Sequence, residues 1–163
     1  MADIVFITPC LAVASQFDSS DFERAAAMGF KSVINNRPDE EKGLPIDSKA
    51  GEALARRAGL AYAYQPVLPH NLLDEDVIDA FEDALAGMPG PVLAYCRTGN
   101  RSSILWAFAA ARRAPTDEVL RAMGEIGVDI GFLESELREQ SAAAPQASPG
   151  RQDRNLVLAA RPC

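Results

Sequence analysis

Seven consecutive residues, Cys96-Arg97-Thr98-Gly99-Asn100-Arg101-Ser102, carry the side chains best suited to chemistry in this chain of 163 residues. The apolar run Pro91 to Tyr95 precedes them and Ile104 to Ala111 follows, so a strand should deliver Cys96 onto a tight loop that feeds a helix. Backbone amides around a glycine curl into an anion-binding nest, and a helix starting behind them adds positive potential. Arg97 and Arg101 bring two full charges to a chain whose net charge is -7. Such surroundings lower a thiol pKa from about 8.5 toward neutrality and hold the thiolate. The expected chemistry is nucleophilic attack by Cys96 on an anionic substrate, with Arg101 catalytic beside it. Arg97, Thr98, Gly99 and Asn100 would bind the substrate. Ser102 is expected to cap the helix and to hydrogen-bond the thiolate.

Outside this loop the candidates are fewer. His70, the single histidine, lies on a segment expected to overhang the site, as a proton donor, an anion ligand or simply an exposed loop residue. Arg37 follows a buried strand and is a candidate for substrate binding, although pairing with Asp39 or Glu40 to order its own loop is the stronger reading. Glu40 or Glu41 could instead orient Arg101. Cys10 reads as a core thiol, Trp106 as core or an interface anchor, and Cys163 as a conceivable sulfur relay. No His, Cys and carboxylate set has metal-ligand spacing, and the nucleotide-binding glycine motifs are absent, so neither metal nor cofactor is expected.

The elements that must position this loop alternate between two periodicities. Residues 4–7 and 11–14 read as short strands. Ser20 with Glu23 reads as a capping box opening a helix that ends at Gly29. Strands are expected at 30–35, 60–67 and 91–95, and helices at 47–58, 74–87, 102–113, 116–126 and 130–139. Strand and helix alternate from 30 to 113, which predicts a three-layer α/β fold with a mainly parallel central sheet flanked by helices. Cys96 then lies at the carboxyl end of a strand, where open α/β sheets bind ligands. Residues 1–140 should form the domain and 141–163, rich in Ala, Pro, Ser and Gln, a flexible tail or linker.

Composition narrows the setting. With 16 Lys+Arg against 23 Asp+Glu, nucleic-acid binding is not expected. Three cysteines at unrelated spacings suggest no disulfide framework and fit a reducing cytoplasm. The N-terminus has neither the basic region nor the apolar run of a signal peptide. The longest apolar stretch, 102–111, falls well short of the about 20 residues a membrane span needs.

The 96–102 loop resembles the active-site loop shared by rhodaneses and cysteine-dependent phosphatases. Together with Val33-Ile34-Asn35-Asn36-Arg37-Pro38-Asp39-Glu40-Glu41, Gln65-Pro66-Val67 and Leu105-Trp106-Ala107, it is similar to one bacterial family over about residues 1–138. Members of that family have a dual-specificity-phosphatase-like fold and commonly carry the name of sulfur transferases. Some are fused to persulfide dioxygenases of the metallo-β-lactamase fold or to sulfide-oxidising flavoproteins, which implies such a partner here. Phosphatases of the fold have a loop one residue longer than the four, Arg97 to Asn100, between cysteine and arginine here. They also use an aspartate where this chain reads Leu68-Pro69-His70-Asn71.

Both departures lead to an expectation of sulfur transfer. Cys96 would take a sulfur atom from thiosulfate or a small persulfide, a small anionic donor, and pass it to a thiol or cyanide. A cysteine-dependent phosphatase is the first alternative. A non-catalytic anion- or partner-binding domain is the second.

Overall fold

A computed structural model describes residues 1–143. Five strands form one sheet: β1 (Ile4–Thr8), β2 (Leu11–Ala14), β3 (Ser32–Asn35), β4 (Ala61–Tyr64) and β5 (Val92–Tyr95), in the spatial order β1-β2-β5-β3-β4. β1 pairs antiparallel with β2, and every other pairing is parallel. Six helices complete the described chain: α1 (Asp21–Ala27), α2 (Ser48–Arg57), α3 (Glu75–Gly87), α4 (Asn100–Ala111), α5 (Thr116–Glu125) and α6 (Glu134–Ala143). The three-layer α/β architecture expected from the alternation of elements is the one observed.

The inner strands β2, β3 and β5 are buried along their whole length, as parallel strands covered on both faces must be. Their side chains alternate between two cores. Leu11, Ile34, Val92 and Ala94 pack with α3, α4, α5 and α6, whereas Ala12, Val33, Leu93 and Tyr95 pack with α1 and α2. The helix behind the reactive loop, α4, is apolar on every side because α3, α5 and α6 surround it and the sheet lies beneath. Ser102, Ser103 and Leu105 through Ala111 are all buried within it.

Three local expectations fail. No capping box forms at Ser20, whose backbone is already helical and whose side chain caps nothing. Ser20 Oγ instead donates to Asp18, and the fully buried Asp21 carboxylate gathers the amides of Ala2 and Asp18 and the Arg24 guanidinium. The second concerns α4, which starts at Asn100 rather than Ser102, with Gly99 as its N-cap. Toward the end of the described chain, a 3₁₀ turn over Gly131–Leu133 precedes α6, so that helix runs later than the expected 130–139. The tail from 144 onward, with Cys163 and the suggested sulfur relay, lies outside the described residues.

Candidate active site

The register of the sheet decides what meets at Cys96. Tyr95, the last residue of β5, lies opposite Ala14 of β2 on one side and Asn35 of β3 on the other. All three strands therefore end level, and their next residues leave the sheet at the same edge. Backbone hydrogen bonds stitch them together: Asn36 N–H to the Tyr95 carbonyl at 2.8 Å, Val67 N–H to Asn36 at 2.9 Å and Gln16 N–H to Arg97 at 3.1 Å.

Within the loop, Gly99 adopts φ of 92°, a left-handed conformation that disfavours any other residue. This turn aims the Gly99 N–H at Cys96 Sγ, 3.1 Å away. Ser103 Oγ donates to the Gly99 carbonyl and Thr98 Oγ1 accepts from the Asn100 amide, so polar side chains hold the turn from both ends. Ser102 has neither expected role. It is inside the first turn of α4, fully buried, and donates to Asn36 Oδ1 at 2.8 Å.

Arg101 is held by two acceptors from elsewhere in the chain. It donates to both carboxylate oxygens of Glu41, at 2.6 and 3.1 Å, and to the Val67 carbonyl at 2.6 Å. Glu41 also accepts from Arg37 Nε at 2.9 Å. Hydrogen bonding from Arg101, reinforced by Arg37, holds the Glu41 carboxyl below the ordinary carboxylate range despite partial burial. Burial works against the Arg101 charge, but Glu41 and Cys96 more than offset it and raise the Arg101 pKa.

Arg37 does not pair with Asp39 or Glu40, as its position in the sequence suggested. It is 4 % exposed and makes three contacts: Glu41, Gln16 Oε1 at 3.0 Å and the Lys42 carbonyl at 2.9 Å. Asp39 faces away and accepts from both the amide and the hydroxyl of Ser48. Two members of this network, Gln16 and Lys42, carry no signal in the sequence. They join the site through the pairing of β2 with β5 and through the fold of the 38–47 loop.

A cleft of about 440 Å³ opens over the loop. Its lining includes four cations, Arg37, Lys42, Arg97 and Arg101, and one carboxylate, Glu41. Cys96 is 1 % exposed, so the residues around the sulfur form the cleft surface. His70 is exposed on its turn, and the neighbouring Pro69 lines the cleft in its place. Among the described residues no cluster of ligating side chains could hold a metal ion, and no helix is long and apolar enough to cross a membrane.

Residues 3–113 match the family described as beta-lactamase hydrolase-like protein, phosphatase-like domain. A beta-lactamase hydrolase-like protein of Xylella fastidiosa is 37% identical over 148 residues, which are 89% of this chain but 34% of that protein. The chain thus spans about a third of the length of the curated relatives it matches. Among solved structures, one from Neisseria meningitidis Z2491, given a provisional phosphatase description, superposes with a TM-score of 0.73 at 33% identity. It covers 84% of this chain and 97% of its own. Kinase-associated phosphatase, solved with its catalytic-site cysteine replaced by serine, shares the fold with a TM-score of 0.66 at 13% identity. That alignment covers 87% of this chain and 97% of the phosphatase.

These likenesses overturn the expectation of a rhodanese-type sulfurtransferase. Family and structural neighbours alike are phosphatase-like. The inference from loop length fails for a physical reason. A count of residues between Cys96 and Arg101 does not fix the cradle, whose shape is set by the left-handed Gly99, the start of α4 at Asn100 and the tether from Arg101 to Glu41.

Proposed function

Because the chain belongs to the phosphatase-like domain family of the beta-lactamase hydrolase-like proteins, we propose that it is a cysteine-dependent phosphatase acting on phosphomonoesters. The observation that carries this reading is the Gly99 N–H directed at Cys96 Sγ at the carboxyl end of β5, with Arg101 in the first turn of the helix that follows. A thiolate held by an amide donor, beside a guanidinium, suits attack on a tetrahedral anion.

In the first step the Cys96 thiolate attacks phosphorus, a P–S bond forms and the ester P–O bond breaks. Loop amides and Arg101 stabilise the negative charge on the non-bridging oxygens during transfer. The leaving oxygen takes its proton from solvent water. In the second step water attacks the phosphocysteine, the P–S bond breaks, and inorganic phosphate departs as the thiolate is restored. Glu41 is a positioning residue, since it fixes the Arg101 guanidinium in two-point contact. Held ionised by two arginines, it is a poor proton donor to the leaving group.

The test is phosphate release from p-nitrophenyl phosphate, combined with intact mass after acid quench. Wild type should turn over and trap one phosphoryl group on Cys96. Cys96→Ser should lose turnover, because a hydroxyl at this position stays protonated near neutral pH. A wild-type protein that neither releases phosphate nor takes up a phosphoryl group would sink the proposal.

A further inference from the structure

The cleft holds more positive charge than one scissile phosphate needs. Arg37 and Arg101 are tied to Glu41, whereas Arg97 and Lys42 are exposed and have no acidic partner among the described residues. Two unpaired cations facing one cleft run against the composition of a chain with 23 acidic and 16 basic residues. Their backbones are held from below. The buried Arg37 guanidinium donates to the Lys42 carbonyl and to Gln16 Oε1, and the Gln16 amide donates to the Arg97 carbonyl. One internal network therefore anchors the backbone of both rim cations, although they come from different loops. An anion in the cleft is attracted by both cations at once.

Resting on the phosphatase reading of Cys96, we propose that Arg97 and Lys42 form a second anion subsite, so that the substrate is a small phosphomonoester bearing a second phosphate group. The scissile phosphate occupies the nest at Gly99 and Arg101, and the second phosphate bridges the rim. A cleft of about 440 Å³ has the dimensions of a small-molecule site. Arg37 acts through the two rim loops as a positioning residue.

A matched pair of probes, phenyl phosphate and 1,3-phenylene bisphosphate, separates this inference from the reading beneath it. Binding is measured by calorimetry on the full-length Cys96→Ser chain, and phosphate release on wild type. The bisphosphate should bind about tenfold or more tightly than the monophosphate, the effect of one added charge-assisted contact. Its kcat/KM should be higher by a similar factor. The double variant Arg97→Met/Lys42→Met, made at exposed positions, should bring the two ligands to near parity. Equal binding of the two probes to the Cys96→Ser chain overturns the subsite. A preference that survives the double variant overturns its assignment to Arg97 and Lys42. Absence of phosphate release from both probes counts against the phosphatase reading, while the binding comparison still decides the subsite.

Discussion

Glu41 shows most clearly how single residues govern this site. Its carboxylate lies between two guanidinium groups, Arg37 and Arg101, and its pKa is held low by the Arg101 hydrogen bonds first and by Arg37 next. A group whose folded pKa is depressed contributes stability above its unfolded pKa, about 4.3, and loses it as pH falls through the lower folded value. Wild type should therefore lose stability on acidification through and below that range, and Glu41→Gln should flatten this part of the profile. The same substitution should lower kcat/KM at pH 7 by about tenfold, since a neutral amide cannot replace both charge-assisted contacts to Arg101. Equilibrium unfolding as a function of pH, with kinetics at pH 7, checks both. An unchanged acid limb in Glu41→Gln would remove Glu41 from the account. Cys96, Gly99 and Arg101 were legible in the sequence because strand, glycine and helix are contiguous there. Glu41 was visible only as one of two candidates, beside Glu40, to orient Arg101, because that partner lies 60 positions away and only the fold selects between them.

At the scale of elements, the start of α1 separates what local pattern reveals from what it conceals. Ser20 with Glu23 satisfies the capping pattern, yet the carboxylate of Asp21 organises the helix start and ties the Ala2 amide to it. Ser20→Ala should accordingly change stability by less than about 0.5 kcal/mol, as an exposed substitution away from special features does. Asp21→Ala should cost about 3 kcal/mol, because it strands buried amides and the Arg24 guanidinium. Chemical denaturation of the two variants tests the contrast, and similar losses in both would restore the capping box. The strands and helices themselves were readable from periodicity, with Gly29 and Gly59 marking two helix ends. The order β1-β2-β5-β3-β4 was not, because it rests on pairings between segments some 60 to 80 residues apart. That order alone brings Gln16 beside Arg97.

On the scale of the whole molecule, two fields of opposite sign act on an approaching anion. The chain carries a net charge of -7, which repels it from a distance, while the cleft presents Arg37, Lys42, Arg97 and Arg101 against Glu41 alone. Salt screens the two differently because they act over different distances. At about 0.01 M ionic strength the Debye length is roughly 30 Å, comparable with the size of a domain, so the acidic surface is felt in full. By about 0.1 M it falls to roughly 10 Å, which removes most of the distant repulsion but leaves the short-range attraction of the cleft. Approaching about 1 M, at roughly 3 Å, the cleft is screened as well. For an anionic substrate, kcat/KM should therefore rise from the lowest ionic strength, pass through a maximum near about 0.1 M and then decline. Lys42→Met should lower the maximum and leave the rising limb in place, since that limb belongs to the rest of the surface. Stopped-flow or steady-state kinetics across a sodium chloride series provides the measurement. A monotonic fall from the lowest salt would mean that the cleft dominates at every distance and that net charge plays no part in substrate capture.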